Sequence, residues 1–397
     1  MKFLIQTIVF ALTVTFTNAA DIYVNNSGLP GTYTTITAAL SASVPNDRIF
    51  VSPFTVYTEN LNIVKNITIA SAVSGTRFSL MGTLTITGLP NMSVKVIGVE
   101  LSSSITATSG SATSGAKAEI YIVDSEFVSI TGSDYNEMHI LFCQTSSTSS
   151  TWTIRHGEIR GCNVAYIVVS DGPSTGIGDT VFLVANVGKR ITWSNDDNYF
   201  FIANNYMNFG GATYSCYITK HLYSSGNDNL FRNNTLVSSG ATVATAPIQF
   251  VNTAGLDWSN ILMYNNVFES AGVYSSTCGS ASCLVATANQ PQSLYNRRSG
   301  STNYFGQSLA GDVNGATTVD ALGRATTAAA IDAGAPDLIY YDIDVTRDDQ
   351  GTYGGPYSID NYTNTASGSA RIFDLNMPFE IWTGQTPQVK AESTHTN

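Results

Sequence analysis

Phe231-Arg-Asn-Asn-Thr-Leu236 and Met263-Tyr-Asn-Asn-Val-Phe268 are two copies of one phrase: apolar, any residue, Asn or Asp, two more residues, apolar. Working outward from them, Ile202-Ala-Asn-Asn-Tyr-Met207 and Ile122-Val-Asp-Ser-Glu-Phe127 repeat it. Ile177-Gly-Asp-Thr-Val-Phe182 does too, and Ile154-Arg-His-Gly-Glu-Ile159 puts His in the third place. Val96-Ile-Gly-Val-Glu-Leu101 is a degenerate earlier copy. The third positions are 124, 156, 179, 204, 233 and 265, so the steps are 32, 23, 25, 29 and 32 residues. A variable period of this size predicts one strand–turn–strand unit per repeat with elastic loops, stacked as a solenoid of parallel strands. The first and last phrase positions point into the coil and the Asn or Asp sits at the bend, where a short amide tolerates the left-handed conformation. Amides stacked coil upon coil would bond one another along the axis, which predicts structural roles for Asn204, Asn233 and Asn265.

At 397 residues the chain exceeds what most single cores support, a limit that a solenoid escapes because each coil packs only on its neighbours. Charged residues are only 12% of it, and Thr, Ser, Asn, Gly and Tyr take their place, which favours strands and turns over helices. The net charge of -11 leaves no basic stripe to neutralise phosphates and so excludes nucleic acid as a partner; anionic membrane surfaces are excluded likewise. Residues 1–20 read as a secretory signal: Lys2, then an apolar stretch to Phe16, then small residues before Asp21. No later stretch is apolar enough to form a transmembrane span, so the expectation is an exported protein, extracellular or on the outer cell surface. Of five cysteines, Cys278 and Cys283 are close enough to staple one loop, while Cys143, Cys162 and Cys216 read as buried thiols in the coil wall.

Before the repeats, Asp21–Val24 reads as a strand, and residues 34–43 carry Ile36, Ala39 and Leu40 at helical spacing. A short helix there would cover the apolar end of the first coil. Residues 311–320 hold a fragment like a calcium loop, but Ala316 and Gly323 stand where carboxylates are needed. Residues 367–397 alternate like strands, with Ile372, Leu375, Phe379 and Ile381 as apolar members. This tail would either fold back over the last coil of its own chain or add to a neighbour's sheet, giving a homo-oligomer or fibre.

Two further stretches carry a family resemblance. Asp21-Ile-Tyr-Val24 through Asp47-Arg-Ile-Phe-Val-Ser-Pro53 and Tyr57-Thr-Glu-Asn-Leu-Asn-Ile63 resembles the opening of secreted right-handed parallel β-helix proteins of the pectate-lyase-like superfamily. Ala330-Ile-Asp-Ala-Gly-Ala-Pro336 with Tyr341-Asp-Ile-Asp-Val-Thr-Arg-Asp-Asp-Gln-Gly-Thr-Tyr-Gly-Gly-Pro356 is similar to the closing motif of β-helix proteins exported by Bacteroidota. The resemblance implies an all-β, right-handed parallel β-helix over residues 21–357, with an N-terminal capping helix and a C-terminal strand tail over 358–397. It implies export, and it leaves activity open, because the fold hosts lyases, hydrolases, adhesins and structural proteins alike.

A uronate lyase on such a fold needs a Lys or Arg base beside a cation. Aligned by phrase, Glu126 and Glu158 fall at equivalent positions on neighbouring coils, about 4.8 Å apart if pairing is in register, with Arg155, His156 and Arg160 nearby. That group reads either as an acid/base or metal site or as a solvated ion-pair cluster. Lys220, His221 and Arg232 form a second basic group, suited to an anionic sugar but lacking an acidic cluster in sequence. Asp196-Asp197 is the one Asp pair of the repeat body and reads as a turn. Asp342, Asp344 and Asp348 alternate as calcium ligands do, although Arg347 interrupts them; as part of the closing motif they are expected to cap the last coil. With no complete catalytic set, the expectation is a structural or adhesive, glycan-binding or self-assembling surface protein without a cofactor, and a polysaccharide lyase is the alternative.

Overall fold

The computed structural model describes residues 19–171, 179–210, 214–220, 229–238, 247–250, 258–270, 291–299, 307–337, 341–342, 346–362, 370–376 and 390–395. The solenoid is nearly all β. Its first sheet has 13 strands, from Asp21–Val24 to Gln307–Ala310, each paired in parallel with the next in chain order. The other strands of the solenoid, those before residue 315, join in a 19-stranded sheet. It consists of two parallel lines that fuse where Asn163–Val169 and Val187–Ser194 each run through both.

Register is held by the core, because a one-residue slip would turn each strand's apolar set outward. Ile49, Ile69, Val96, Ile122, Ile140, Ile159, Leu183, Ile202, Phe231 and Met263 are direct partners down the first sheet. All are at most 1% exposed. The helix Ile36–Ala42 adds Ile36, Ala39 and Leu40 to the same core. Its N-terminal amides are satisfied by Thr35 and by both Glu59 oxygens.

Four of the six phrases stack as expected. The other two do not: Ile154 ends a strand of the second sheet, Thr151–Ile154, and His156 begins one of the first, His156–Arg160. Ile177 lies outside the described residues. From the strand Ser93–Ile97 onward, the true bend column follows the first-sheet strands through Gly98, Asp124, Phe142, Gly161, Ala185, Asn204, Asn233, Asn265, Tyr295 and Gly311, all at positive φ. Phe142, Ala185 and Tyr295 carry no amide, so the stack and not the side chain holds them left-handed. At Gly161 a Cβ would meet Phe142 at 3.0 Å and Tyr362 at 3.1 Å, so any side chain there would crowd both as well as strain a backbone at φ 63°.

The ladder occupies the next column. Asn186 donates its amide to Asn205 (2.9 Å), Asn205 to Asn234 (3.0 Å), Asn234 to Asn266 (3.1 Å) and Asn266 to Asn296 (2.8 Å). Each amide oxygen also accepts the backbone N–H of the rung before it. Asp312 ends the series by accepting Asn296 N–H at 2.8 Å, which gives the calcium-like fragment a structural use. Towards the N-terminus Cys162 continues the series, accepting from Cys143 N–H at 3.3 Å, and Ser125 accepts from Val99 N–H at 3.2 Å. Cys143, Cys162 and Cys216 are buried free thiols; Cys278 and Cys283 lie outside the described residues.

Asn204, Asn233 and Asn265 do something else: they hold the closing motif. That motif does not cap the last coil. It runs back along the bend column as a strap. Gln350 donates to Tyr295 O, Gly351 N–H to Asn265 O, and Asn204 to Thr352 O and Gly354 O. Tyr357 then packs edge-on against Phe201, and Tyr362 stacks on Phe142. Beyond it the strands Ala370–Asn376 and Lys390–His395 form an antiparallel pair.

Candidate functional site

Consecutive strands of the second sheet end at one corner of the solenoid. Gly132 closes Ile130–Gly132, and Asp134 follows it. Arg155 follows Thr151–Ile154, Asp171 follows Asn163–Val169, Asp196 and Asp197 follow Val187–Ser194, and Lys220 closes Cys216–Lys220. Stacking therefore brings residues far apart in sequence to one place. Asp171, Asp196 and Asp197 offer carboxylate oxygens within 4.8 Å of one another. Lys220 pairs with Asp171 and lies 3.5 Å from Asp196. Arg155 is ion-paired with Asp134, and its Nε donates to Ser170 at 3.3 Å.

The turn holding the two aspartates is built by Asn195, whose Oδ1 accepts Asp197 N–H at 2.9 Å and Asn198 N–H at 3.0 Å. Burial and the adjoining Asp171 carboxyl push the Asp196 pKa up. Lys220 moves up as well, first because Asp171 bonds its ammonium. Burial draws Arg155 down against the pull of Asp171 and Asp197. Carboxylates this close, flanked by two cations, present only oxygens, the donor set of calcium.

On the same sheet, just before this corner, lies an aromatic and basic face. Tyr166 and Arg190 are register partners, as are Thr192 with Tyr217 and Tyr217 with Gln249. The Arg190 guanidinium lies 5.2 Å from the Tyr166 ring and 5.7 Å from Phe209, and Lys189 Nζ lies 5.9 Å from the Tyr166 ring. Tyr214 stacks on Tyr217 at 5.4 Å and 15°. Arg190 Nε is buried and has no hydrogen-bond partner among the described residues. A groove of about 360 Å³ adjoins Lys189, floored by Asn163, Val164 and Gly188 and rimmed by residues 145–148.

The sequence groupings are redrawn. Glu126 and Glu158 are not neighbours: Glu126 stands in the second sheet opposite Glu100 and Gln144, while Glu158 stands in the first opposite His139 and Phe182. The phrase alignment placed them together because the repeat at Ile154 is out of step with the bends. Glu126 is paired with Arg77 at 3.2 Å, and Glu158 with His139 at 2.9 Å and Arg160 at 2.5 Å. His156, 4% exposed, is separated from Arg155 by the corner. Burial, with Lys117 nearby, draws its pKa down to about 4, so it is a neutral core group bonded to Asn198. Arg232 belongs with the strap, packed among Phe201, Tyr357 and Tyr264 and far from acting with Lys220. His221 lies outside the described residues. Arg155 and Lys220, assigned to different groups from the sequence, share one corner, while sequence reasoning missed Asp134 and Asp171 there and Tyr166, Lys189 and Arg190 on the face before it.

Of the closing-motif acids, Asp344 lies outside the described residues, and Asp342 reaches Asp348 directly. Both Asp348 oxygens accept N–H groups: Asn233 Nδ2 reaches Oδ1 at 2.9 Å and Oδ2 at 3.1 Å, and Asn265 Nδ2 reaches Oδ2. Donor hydrogens aimed at both oxygens oppose a cation, so Asp348 does not fit calcium. Among the described residues no helix is long and apolar enough to cross a membrane. No family model matches the chain, and neither a curated protein nor a solved structure matches it. The chemistry of the corner therefore rests on its own side chains.

Proposed function

We propose that the chain is an extracellular, glycan-binding β-helix of adhesive type that takes anionic polysaccharide along the second-sheet face. One observation carries this reading: in a protein of net charge -11, Lys189, Arg190 and Lys220 stand with Tyr166, Phe209, Tyr214 and Tyr217 on adjoining rungs of one face. Pyranose C–H faces stack on aromatic rings, and a guanidinium beside those rings suits a carboxylate. The spacing between parallel rungs, about 4.8 Å, is close to the length of one sugar unit, so a chain laid along the axis meets the same surface repeatedly. The test is affinity electrophoresis in gels containing acidic or neutral polysaccharides. Retardation by an acidic polymer that is lost in Arg190→Ala and Tyr217→Ala supports the reading; no retardation of wild type by any acidic polymer overturns it.

The corner favours a second reading, a lyase acting on the same class of polymer. Calcium held by Asp171, Asp196 and Asp197 would neutralise a uronate carboxylate and acidify the adjacent proton. Lys220 is the amine positioned to take that proton. While Asp171 bonds it, Lys220 stays protonated, so it serves as a base only when Asp171 is otherwise engaged. Absorbance from unsaturated uronate that needs calcium and vanishes in Lys220→Ala would establish turnover. Its absence across a panel of uronate polymers leaves binding alone. The tail, with its antiparallel strand pair, is proposed as a route to self-assembly by strand addition.

A further inference from the structure

We infer that the strap is a proton-operated clasp: Asp348 carries a proton while the strap lies in the bend column, and opening the strap releases it. Asp348 is 0% exposed, and its carboxyl meets two amide donors from the bends and a second carboxyl, Asp342, from the strap itself. Two touching carboxyls, one of them sealed from solvent, share one proton, because ionising both would set like charges together at a buried group. Asp342 in turn accepts Gly355 N–H at 2.6 Å, which ties the pair to the far side of the strap's turn.

The surrounding charges do not offset this. Arg232 is the cation nearest on the solenoid side, but its guanidinium is stacked on Phe201 and Tyr357, and its Nη1 donates to the Tyr264 hydroxyl. On the strap, Arg347 donates to Gly334 O and lies over Tyr295. Asp349 is turned outward and accepts Asp332 N–H. Burial pushes the Asp348 pKa up to about 9, reinforced by Asp342 and opposed by the Asn233 hydrogen bond and the Arg232 charge.

The sign follows from proton counting. With the strap open Asp348 is solvated and titrates near the ordinary aspartate value of 3.8; with it closed, near 9. Between those values the closed form holds one more proton, so rising pH favours opening. One proton released per opening means that the open fraction grows about tenfold per pH unit across that window.

The experiment is hydrogen exchange by mass spectrometry on the full chain between pH 5.5 and 8.5, corrected for intrinsic exchange rates. Peptides covering residues 346–355 are expected to show an opening equilibrium that rises about tenfold per pH unit, while peptides covering Ala118–Val123 show no such slope. Asp348→Asn is expected to abolish the slope at the strap. A wild-type strap with no slope overturns the inference by itself, even if the variant does not fold. An unchanged slope in Asp348→Asn also overturns it, because another group would then be titrating.

Discussion

Replacing Asn234 by Ala tests the ladder at its centre. The residue is fully buried, and its side chain has four partners. Its Oδ1 accepts Asn205 N–H and Asn205 Nδ2, both at 3.0 Å, and its Nδ2 donates to Ile202 O at 2.9 Å and Asn266 Oδ1 at 3.1 Å. Two of these partners have a substitute: Asn205 Nδ2 keeps Leu183 O and Ala203 O, and Asn266 Oδ1 keeps Asn234 N–H. Asn205 N–H keeps none and is stranded in a dry wall. A buried orphan donor costs about 1–3 kcal/mol, and each net bond lost adds about 1 kcal/mol, which puts the loss near 3–5 kcal/mol. The assay is equilibrium denaturation followed by tryptophan fluorescence, since Trp152, Trp193 and Trp258 are all fully buried. Asn233→Ala is the control one residue away: it removes strap contacts and leaves every ladder rung in place, so strap peptides should lose protection while the tryptophan transition moves less. An Asn234→Ala protein within about 0.5 kcal/mol of wild type would refute the view that the amide column holds the coils together.

Other outcomes follow from the same geometry. Glu158 is pushed up by burial, yet the His139 hydrogen bond and Arg160 outweigh this and hold its pKa below the usual range. Its stabilisation is therefore present above the unfolded glutamate value of about 4.5 and is lost as pH falls through the folded value, so acid denaturation of Glu158→Gln should be shallower than that of wild type. Arg190→Lys keeps the charge but not the planar stacking on Tyr166 and Phe209, and it should weaken binding of acidic polysaccharide about as much as Arg190→Ala in the same gel assay. Deleting residues 367–397 should convert any assembly of the protein to monomer by light scattering; if both forms are monomers at high concentration, assembly through the tail is wrong.

The core was legible because burial alternates with a fixed period of two: Ile122, Ile202, Phe231 and Met263 were readable as inward and are inward. The bends were legible only where the residue itself prefers φ above zero, as Asp124, Asn204, Asn233 and Asn265 do. At Phe142, Ala185 and Tyr295 neighbouring rungs impose the conformation, and no local propensity records it. A signal was present one place along, since Ser125, Cys143, Cys162, Asn186, Asn205, Asn234, Asn266 and Asn296 are all small or polar. The site was less legible than the fold. Asp196-Asp197 reads as a turn and is one, but the turn also aims both carboxyls at Asp171, a meeting set by the lengths of intervening coils. The strap was legible as a closing motif, whereas its path along the bends depends on where three asparagine amides emerge.

A stack of coils bound only to nearest neighbours behaves like a zip that opens tooth by tooth from a free end. The strap changes that mechanics. It touches the bend at Tyr295, then those at Asn265, Asn233 and Asn204, and reaches Phe142 through Tyr362. Pulling the last coil away therefore loads a lace threaded across many coils in parallel. The C-terminal half should resist traction as one block and yield in a single large step, while the coils before Phe142, which the strap does not cross, peel in small ones. The lace is also made after the coils it crosses, so they must stack before it can be drawn tight.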